Sequence, residues 1–377
     1  MCGEIIKARK YRYIDTGNKL LQFDPQTSEL TEINITEIPD DGCTIIKSVP
    51  PPVSSLILHV TKRCNLRCRH CYIDAKEDND DELSLEKIYS ILEEASQMGI
   101  LGVAISCGEP MLRKDLPLIL ERSFSVGLYT DLLTNGVLLN EGLIKKIKPF
   151  VQRITLSLDG LQEEHDWIRG HGNFQIVRQK LQMLQKASVP IAITTLVNYR
   201  NIHTLNDIAQ FIHQFGVDKW SLTLPRLAGR IKFSNELYHF TIKEYFVNFQ
   251  RCFEIIKHCY STAKNLGIEV LADSSLIPLK ILKREKAACN TYLTLYKHNR
   301  VCWDSNIVIM PNGDFVPCLF FENTVYGNIN NYSLRHLYYS SKRRKLAQKF
   351  IRYGEFYCAH LIQNMKGGDK NEATRKK

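Results

Sequence analysis

The sequence predicts an α/β fold: a largely parallel sheet with helices packed outside it, followed by a small domain of different character. Three observations point there. From residue 54, β-prone runs alternate with amphipathic helical stretches in six units spaced by roughly 25–35 residues. The β-prone runs, such as SSLILHVT and PIAITTLV, are apolar along most of their length, as strands covered on both faces are. Motifs rich in cysteine, glycine and hydroxyl groups recur at the C-terminal ends of those runs, where parallel α/β sheets carry their working residues.

The elements follow in order. Residues 1–50 alternate short β-prone runs with the turn signals TGN and DPQT, which predicts a small β-rich N-terminal unit. Pro50, Pro51 and Pro52 then stiffen a linker. SSLILHVT begins the sheet, and LSLEKIYSILEEASQMG reads as an amphipathic helix with Ser84 as N-cap. LGVAISC, LYTDLLTNG, RITLSLDG, PIAITTLV and DKWSLTL are the next strands. Helical stretches lie at DLPLILERSFSVG and near 140–149, 173–187 and 201–215, and a long one near 236–266 closes the series. This core is expected over residues 54–270. The rhythm then stops, and CWDSNIVIMPNGDFVPCLFF predicts a β-hairpin turning at PNG with a cysteine in each arm. A small cysteine-bearing domain is placed at 285–362, and a basic tail at 363–377.

Composition narrows the function. Hydrophobic residues make up 44% of the 377, which excludes a disordered chain, and 20 glycines with 13 prolines exclude a collagen-like one. No apolar run approaches the about 20 residues of a membrane span. The opening MCGEIIKARKYRYID has charges where a signal peptide is apolar, so a cytoplasmic protein is expected. The net charge of +10 draws partly on SKRRKLAQKFIR and the tail, read as a solvated helix face and a frayed end; no nucleic-acid partner is expected. Of the 12 cysteines, three crowd into positions 64–71, which in a reducing compartment points to metal.

Those three, Cys64, Cys68 and Cys71 in HVTKRCNLRCRHCY, have CxxxCxxC spacing directly after the first strand. Three thiolates on one pliable loop suit three irons of a cubane cluster and leave the fourth iron open. On local spacing alone a zinc site, with His70 as a further ligand, or three unrelated thiols also fit.

With CGEP at 107–110, TNG at 134–136 and SLDG at 157–160 after the next three strands, residues 54–225 resemble the radical S-adenosylmethionine superfamily. The resemblance implies a partial (β/α)6 barrel in which Cys64, Cys68 and Cys71 bind a [4Fe–4S] cluster. S-adenosylmethionine chelates the unique iron, and one electron yields a 5′-deoxyadenosyl radical that abstracts a substrate hydrogen. It implies cofactor contacts at Gly108 and Glu109, where a bare turn lets backbone approach the methionine amine. Thr134 and Ser157 are implied to bond the ribose or carboxylate, with helix capping as their plainer role, and His70 is implied to pack near the adenine. Cys107 replaces a family glycine and is expected to loosen the turn as a small buried thiol. Asp159 reads as cofactor neighbour or turn former, and Arg169 as carboxylate partner or surface residue.

Cys302 and Cys318 frame Gly313 as C-x10-G-x4-C, which resembles the opening of the SPASM/twitch extension. The resemblance implies an auxiliary Fe–S cluster held by Cys302, Cys318 and Cys358, with Cys289 as fourth ligand, or His360 or an open iron in its place. No cysteine follows Cys358, so the pattern is shortened and a domain without its cluster also fits. Cys252 and Cys259 read as core. The resemblance implies a ribosomally made precursor peptide as substrate, crosslinked or epimerised, with the N-terminal unit pairing its leader. The alternatives are cofactor biosynthesis of haem/tetrapyrrole, pyrroloquinoline quinone or molybdenum-cofactor type, and, more distantly, a zinc-binding scaffold without activity. A flavodoxin or ferredoxin is the electron donor implied, and no residue is assigned to the second hydrogen transfer.

Overall fold

The computed structural model describes strands at 12–15, 20–23, 30–33 and 45–47, then residues 55–78, 81–226, 228–233, 235–240, 249–272, 306–318 and 324–351. The N-terminal unit is a small sheet of β1 (Arg12–Asp15), β2 (Leu20–Phe23), β3 (Leu30–Ile33) and β4 (Ile45–Lys47) in the order β3-β2-β1-β4. β1 and β2 pair antiparallel, as do β2 and β3, whereas β4 joins β1 in parallel.

The core sheet begins with β5 (Ser55–Thr61), β6 (Gly102–Cys107), β7 (Tyr129–Thr134), β8 (Arg153–Ser157), β9 (Ile191–Leu196) and β10 (Lys219–Thr223), the six expected strands. β11 (Glu269–Ala272) adds a seventh beside β10, just past the long helix. Neighbours from β11 to β5 pair in parallel, and the sheet does not close on itself.

Between the strands run α1 (Leu85–Gln97), α2 (Leu116–Ser125), α3 (Glu141–Ile147), α4 (Gln162–Arg169), α5 (Asn173–Lys186), α6 (Leu205–His213), α7 (Asn235–His239) and α8 (Phe249–Asn265). α1 starts where expected, with Ser84 Oγ accepting from Lys87 N–H at 3.2 Å. Leu56, Leu58, Val103, Ile105, Ile154, Leu156, Trp220 and Leu222 form the strand side of the core beneath these helices. Because strand side chains alternate, His59, Ser106, Asp131, Thr155, Ser157 and Thr194 point to the concave face. Cys252 and Cys259, 8% and 0% exposed on α8, lie in the core as expected.

The C-terminal hairpin does not start a sheet of its own. β12 (Asn306–Ile309) pairs in parallel with β5, Asn306 opposite Ser55 and Ile309 opposite Leu58, and β13 (Asp314–Val316) and β14 (Gly327–Asn328) follow antiparallel. Among the described residues the core sheet therefore has ten strands. The hairpin turns at the expected PNG, where Gly313 has φ +88°. α9 (Leu334–Tyr339) and α10 (Ser341–Ile351) end the described chain. Among the described residues no helix is long and apolar enough to cross a membrane.

Candidate functional site

The site is built at the C-terminal ends of the core strands. After β5 the chain enters the cysteine loop, which a bridge between Arg63 and Lys76 closes, with Cys64 N–H donating to Lys76 O at 2.8 Å. Cys64 and Cys68 are each 8% exposed, and Cys71 is half-buried. Donors are aimed at two of the sulfurs. Leu66 N–H and Asn135 Nδ2 approach Cys64 Sγ at 3.4 and 3.8 Å, and Ala75 N–H approaches Cys71 Sγ at 3.3 Å. Burial pushes the Cys64 thiol up to about 11 and raises Cys68 as well, the Arg169 and Arg230 guanidiniums opposing it at Cys68. Buried sulfurs with N–H donors turned toward them suit thiolates that are deprotonated by binding metal. Among the described residues no three His, Cys, Asp or Glu side chains converge on a single ion; a cubane, whose thiolates bond separate irons, asks for no such convergence.

The CGEP turn packs against that loop. Gly108 N–H donates to Thr61 O at 3.0 Å and Glu109 N–H to Arg63 O at 2.8 Å. A Cβ on Gly108 would lie 2.1 Å from Arg63 O and 2.8 Å from Lys62 O, so the bare glycine is required by the loop's own backbone. Two expectations about Cys107 change. It is half-buried rather than buried, and the turn is not loosened: Cys107 itself takes φ +120°, a conformation natural to glycine and strained for a side chain.

Glu109, fully buried, brackets the strand ends. Its carboxylate accepts from Thr134 Oγ1 at 2.8 Å, Asn135 N–H at 2.9 Å and Met111 N–H at 3.1 Å. Burial raises its pKa, and those three donors work against the rise. The Thr134 hydroxyl, which also accepts from Gly136 N–H at 3.0 Å, is thus committed within the protein. Ser157 ends β8 half-buried with its hydroxyl uncommitted among the described residues.

His70 lies beside α4. Burial, with Arg169 adding to it, holds its pKa down to about 4, so the ring is neutral. Arg169 Nη2 approaches Nε2 at 3.4 Å and can only donate, which places the ring proton on Nδ1, a buried atom with no hydrogen-bond partner among the described residues. Arg169 is no surface residue: its side chain is 10% exposed and its Nε donates to Asp159 Oδ2 at 2.6 Å. Asp159, fully buried, also accepts Leu196 N–H at 2.7 Å. Burial opposes ionisation of Asp159, and the Arg169 guanidinium with two neighbouring histidines outweighs it, holding the carboxyl below the usual range. α4 grips the loop by backbone too, Arg69 N–H donating to Ile168 O at 2.9 Å.

The structure thus brings Cys64, Cys68, Cys71, His70, Gly108, Glu109, Thr134 and Ser157 to one end of the sheet, with Asn135, Asp159 and Arg169 among them. Asn135 was signalled only as the middle of TNG; of the two readings of Arg169, carboxylate partner or surface residue, the structure shows the first, with Asp159 as the carboxylate. In the C-terminal part, Cys318 is half-buried past β13; Cys289, Cys302 and Cys358 lie outside the described residues.

Comparison with known proteins agrees with this geometry. Residues 58–212 match the radical SAM superfamily and residues 302–360 an iron-sulfur cluster-binding domain, SPASM. The chain is 30% identical over 162 residues to the Fe-coproporphyrin III synthase of Methanosarcina barkeri, covering 42% of this chain and 41% of that protein. It is 29% identical over 188 residues to the PqqA peptide cyclase of Granulibacter bethesdensis, covering 49% of this chain and 50% of that protein. The chain therefore spans half or less of the length of these curated relatives. SuiB of Streptococcus suis bound to S-adenosylmethionine superposes with a TM-score of 0.69 over 91% of this chain and 90% of that one at 14% identity; SuiB has also been solved with its precursor peptide SuiA. With its cysteine loop, strand-end motifs and family matches in agreement, the chain carries a radical SAM superfamily domain over residues 58–212 and a C-terminal SPASM domain over residues 302–360.

Proposed function

We propose that the chain binds a [4Fe–4S] cluster through Cys64, Cys68 and Cys71, with S-adenosylmethionine beside it, to remove a hydrogen atom from a ribosomally made peptide. The residues suit these groups: two buried thiols and a half-buried one, N–H donors turned toward Cys64 and Cys71, the unanswered Nδ1–H of His70, and the uncommitted Ser157 hydroxyl. When bound, the pair supplies one-electron chemistry able to break an unactivated C–H bond. Glu109, held by Thr134 and the Asn135 amide, fixes the wall on which the cofactor rests, and Gly108 keeps that wall against the cysteine loop. Asp159 and Arg169 orient His70 and keep a positive charge near the cysteine loop. Cys302, Cys318 and Cys358, with Cys289 fourth, would hold an auxiliary cluster in the SPASM domain. A flavodoxin or ferredoxin would supply the electron.

The small N-terminal sheet carries the peptide reading. Among the described residues β3 and β4 each pair on one side only, leaving edges that an extended leader segment can join as an added strand. The PqqA peptide cyclase and the SuiB–SuiA complex favour the same substrate class. A tetrapyrrole substrate is the second reading, favoured by the Fe-coproporphyrin III synthase match at nearly equal identity. Such a macrocycle needs no strand-pairing platform.

The test incubates reconstituted protein, S-adenosylmethionine and reductant with the peptide encoded beside its gene, and separately with an iron tetrapyrrole precursor of Fe-coproporphyrin III. Loss of two hydrogens from the peptide, or solvent deuterium incorporated at one of its α-carbons, is expected. Iron coproporphyrin III formed from the precursor, with unchanged peptide, would reverse the assignment.

A further inference from the structure

The cysteine loop is also gripped from the far side of the barrel. β9, β8, β7 and β6 lie between β10 and β5, yet the segment leaving β10 returns to the loop that follows β5. There Arg230 N–H donates to Cys71 O at 2.9 Å, Nη1 to Cys68 O at 2.8 Å, Nε to Asp74 Oδ1 at 2.8 Å, and Nη2 to Ala75 O. Gly229 makes the approach possible. Its φ is +53°, and a Cβ there would lie 2.2 Å from Cys71 O and 2.5 Å from the Tyr72 carbonyl carbon. The Arg230 side chain is 15% exposed, so its contacts to the Cys68 and Ala75 carbonyls are partly shielded from water, whereas Asp74, 48% exposed, faces solvent. Residues 62–76 belong to no strand or helix, and within the loop Cys68 O and Cys71 O accept long bonds from Cys71 N–H and Asp74 N–H, both at 3.4 Å, which the shorter bonds from Arg230 reinforce.

We propose that Gly229 and Arg230 form a latch that holds the two later cysteines in ligating arrangement and sets a cation beside the cluster. The latch governs how long the cluster is retained and how readily it is reduced; it rests on the cluster reading above. Arg230 is a positioning residue, acting through backbone atoms of the ligands. Its fork reaches Cys68 O, Ala75 O and Asp74 together, which a lysine ammonium cannot do. A cation at that place stabilises the more negative, reduced cluster and raises its potential.

The test compares wild type, Arg230→Ala and Arg230→Lys after anaerobic reconstitution, reading iron loss to a chelator and the midpoint potential. Arg230→Ala is expected to lose iron at least about tenfold faster, as removing a group that orients metal ligands does, and to have a lower potential. Arg230→Lys is expected to keep the potential while losing iron nearly as fast as Arg230→Ala. Amide exchange of the metal-free protein reads the latch without any cluster. Exchange should rise at Cys71, Asp74 and Ala75, while the Arg69 amide, held by α4, stays as in wild type. Should Arg230→Ala fail to give a cooperative melt, Asp74→Asn strips the charge from one of the four contacts and should give a smaller rise at the same amides. Wild-type exchange, retention and potential in the variants would overturn the latch. Wild type that takes up no iron while exchange still responds would overturn the cluster reading and leave the loop-holding contact standing.

Discussion

Asp131 shows how one side chain on the concave face trades stability for position. It accepts Thr155 Oγ1 at 2.7 Å and stands opposite Arg153 across the strands. Burial, the largest influence, pushes its pKa from 3.8 up to about 6. A carboxyl that holds its proton more tightly when folded subtracts stability as pH rises through that interval. Asp131→Asn keeps an acceptor for Thr155 and removes the charge. Its stability should match wild type near pH 4 and exceed it by about 1–3 kcal/mol at pH 8. Urea melts at the two values check this; a variant weaker than wild type at both would contradict it. Residues of this kind mark the limit of reading from sequence. Cys64, Cys68 and Cys71 announce themselves because their spacing is local. Asp159 with Arg169, and Arg230 with Cys68, do not: the latter pair is 162 positions apart, and nothing in either segment alone says that they meet.

Among the elements, β12 departs most from expectation. The six core strands and the PNG hairpin were legible because each is a short run of apolar residues bounded by turn residues. The partner of β12 was not, because pairing across the sheet depends on which edge remains open once the parallel strands are laid side by side. β12 takes the β5 edge and places Ile307 and Ile309, both 0% exposed, in the core. Ile309→Ala should therefore cost about 2–5 kcal/mol, as large-to-small changes in packed cores do. Because β12 and β5 share one sheet, the loss should appear as a shift of a single urea transition monitored at both ends of the chain. Two separate transitions, with only the C-terminal one shifted, would count against the shared sheet.

For the whole molecule, the decisive quantity is iron and sulfide per chain. The site at the strand ends and the SPASM domain each call for a cubane, so about eight irons are expected in wild type and about four in a Cys302/Cys318/Cys358→Ala variant. About four in both would mean that the SPASM domain packs without a cluster.

The pairing of Asn306 with Ser55 spans 306 − 55 = 251 residues. Ribosomes add about 5–20 residues per second, so the strand that leads into the cysteine loop waits roughly 10–50 s for its outer neighbour to be made. Throughout that interval β5 is a bare, apolar margin open to mispairing with another nascent chain. Yield from a cell should thus depend on slow growth at low temperature and on chaperone supply. A chain truncated before residue 306 should accumulate as aggregate, however complete its iron-binding loop.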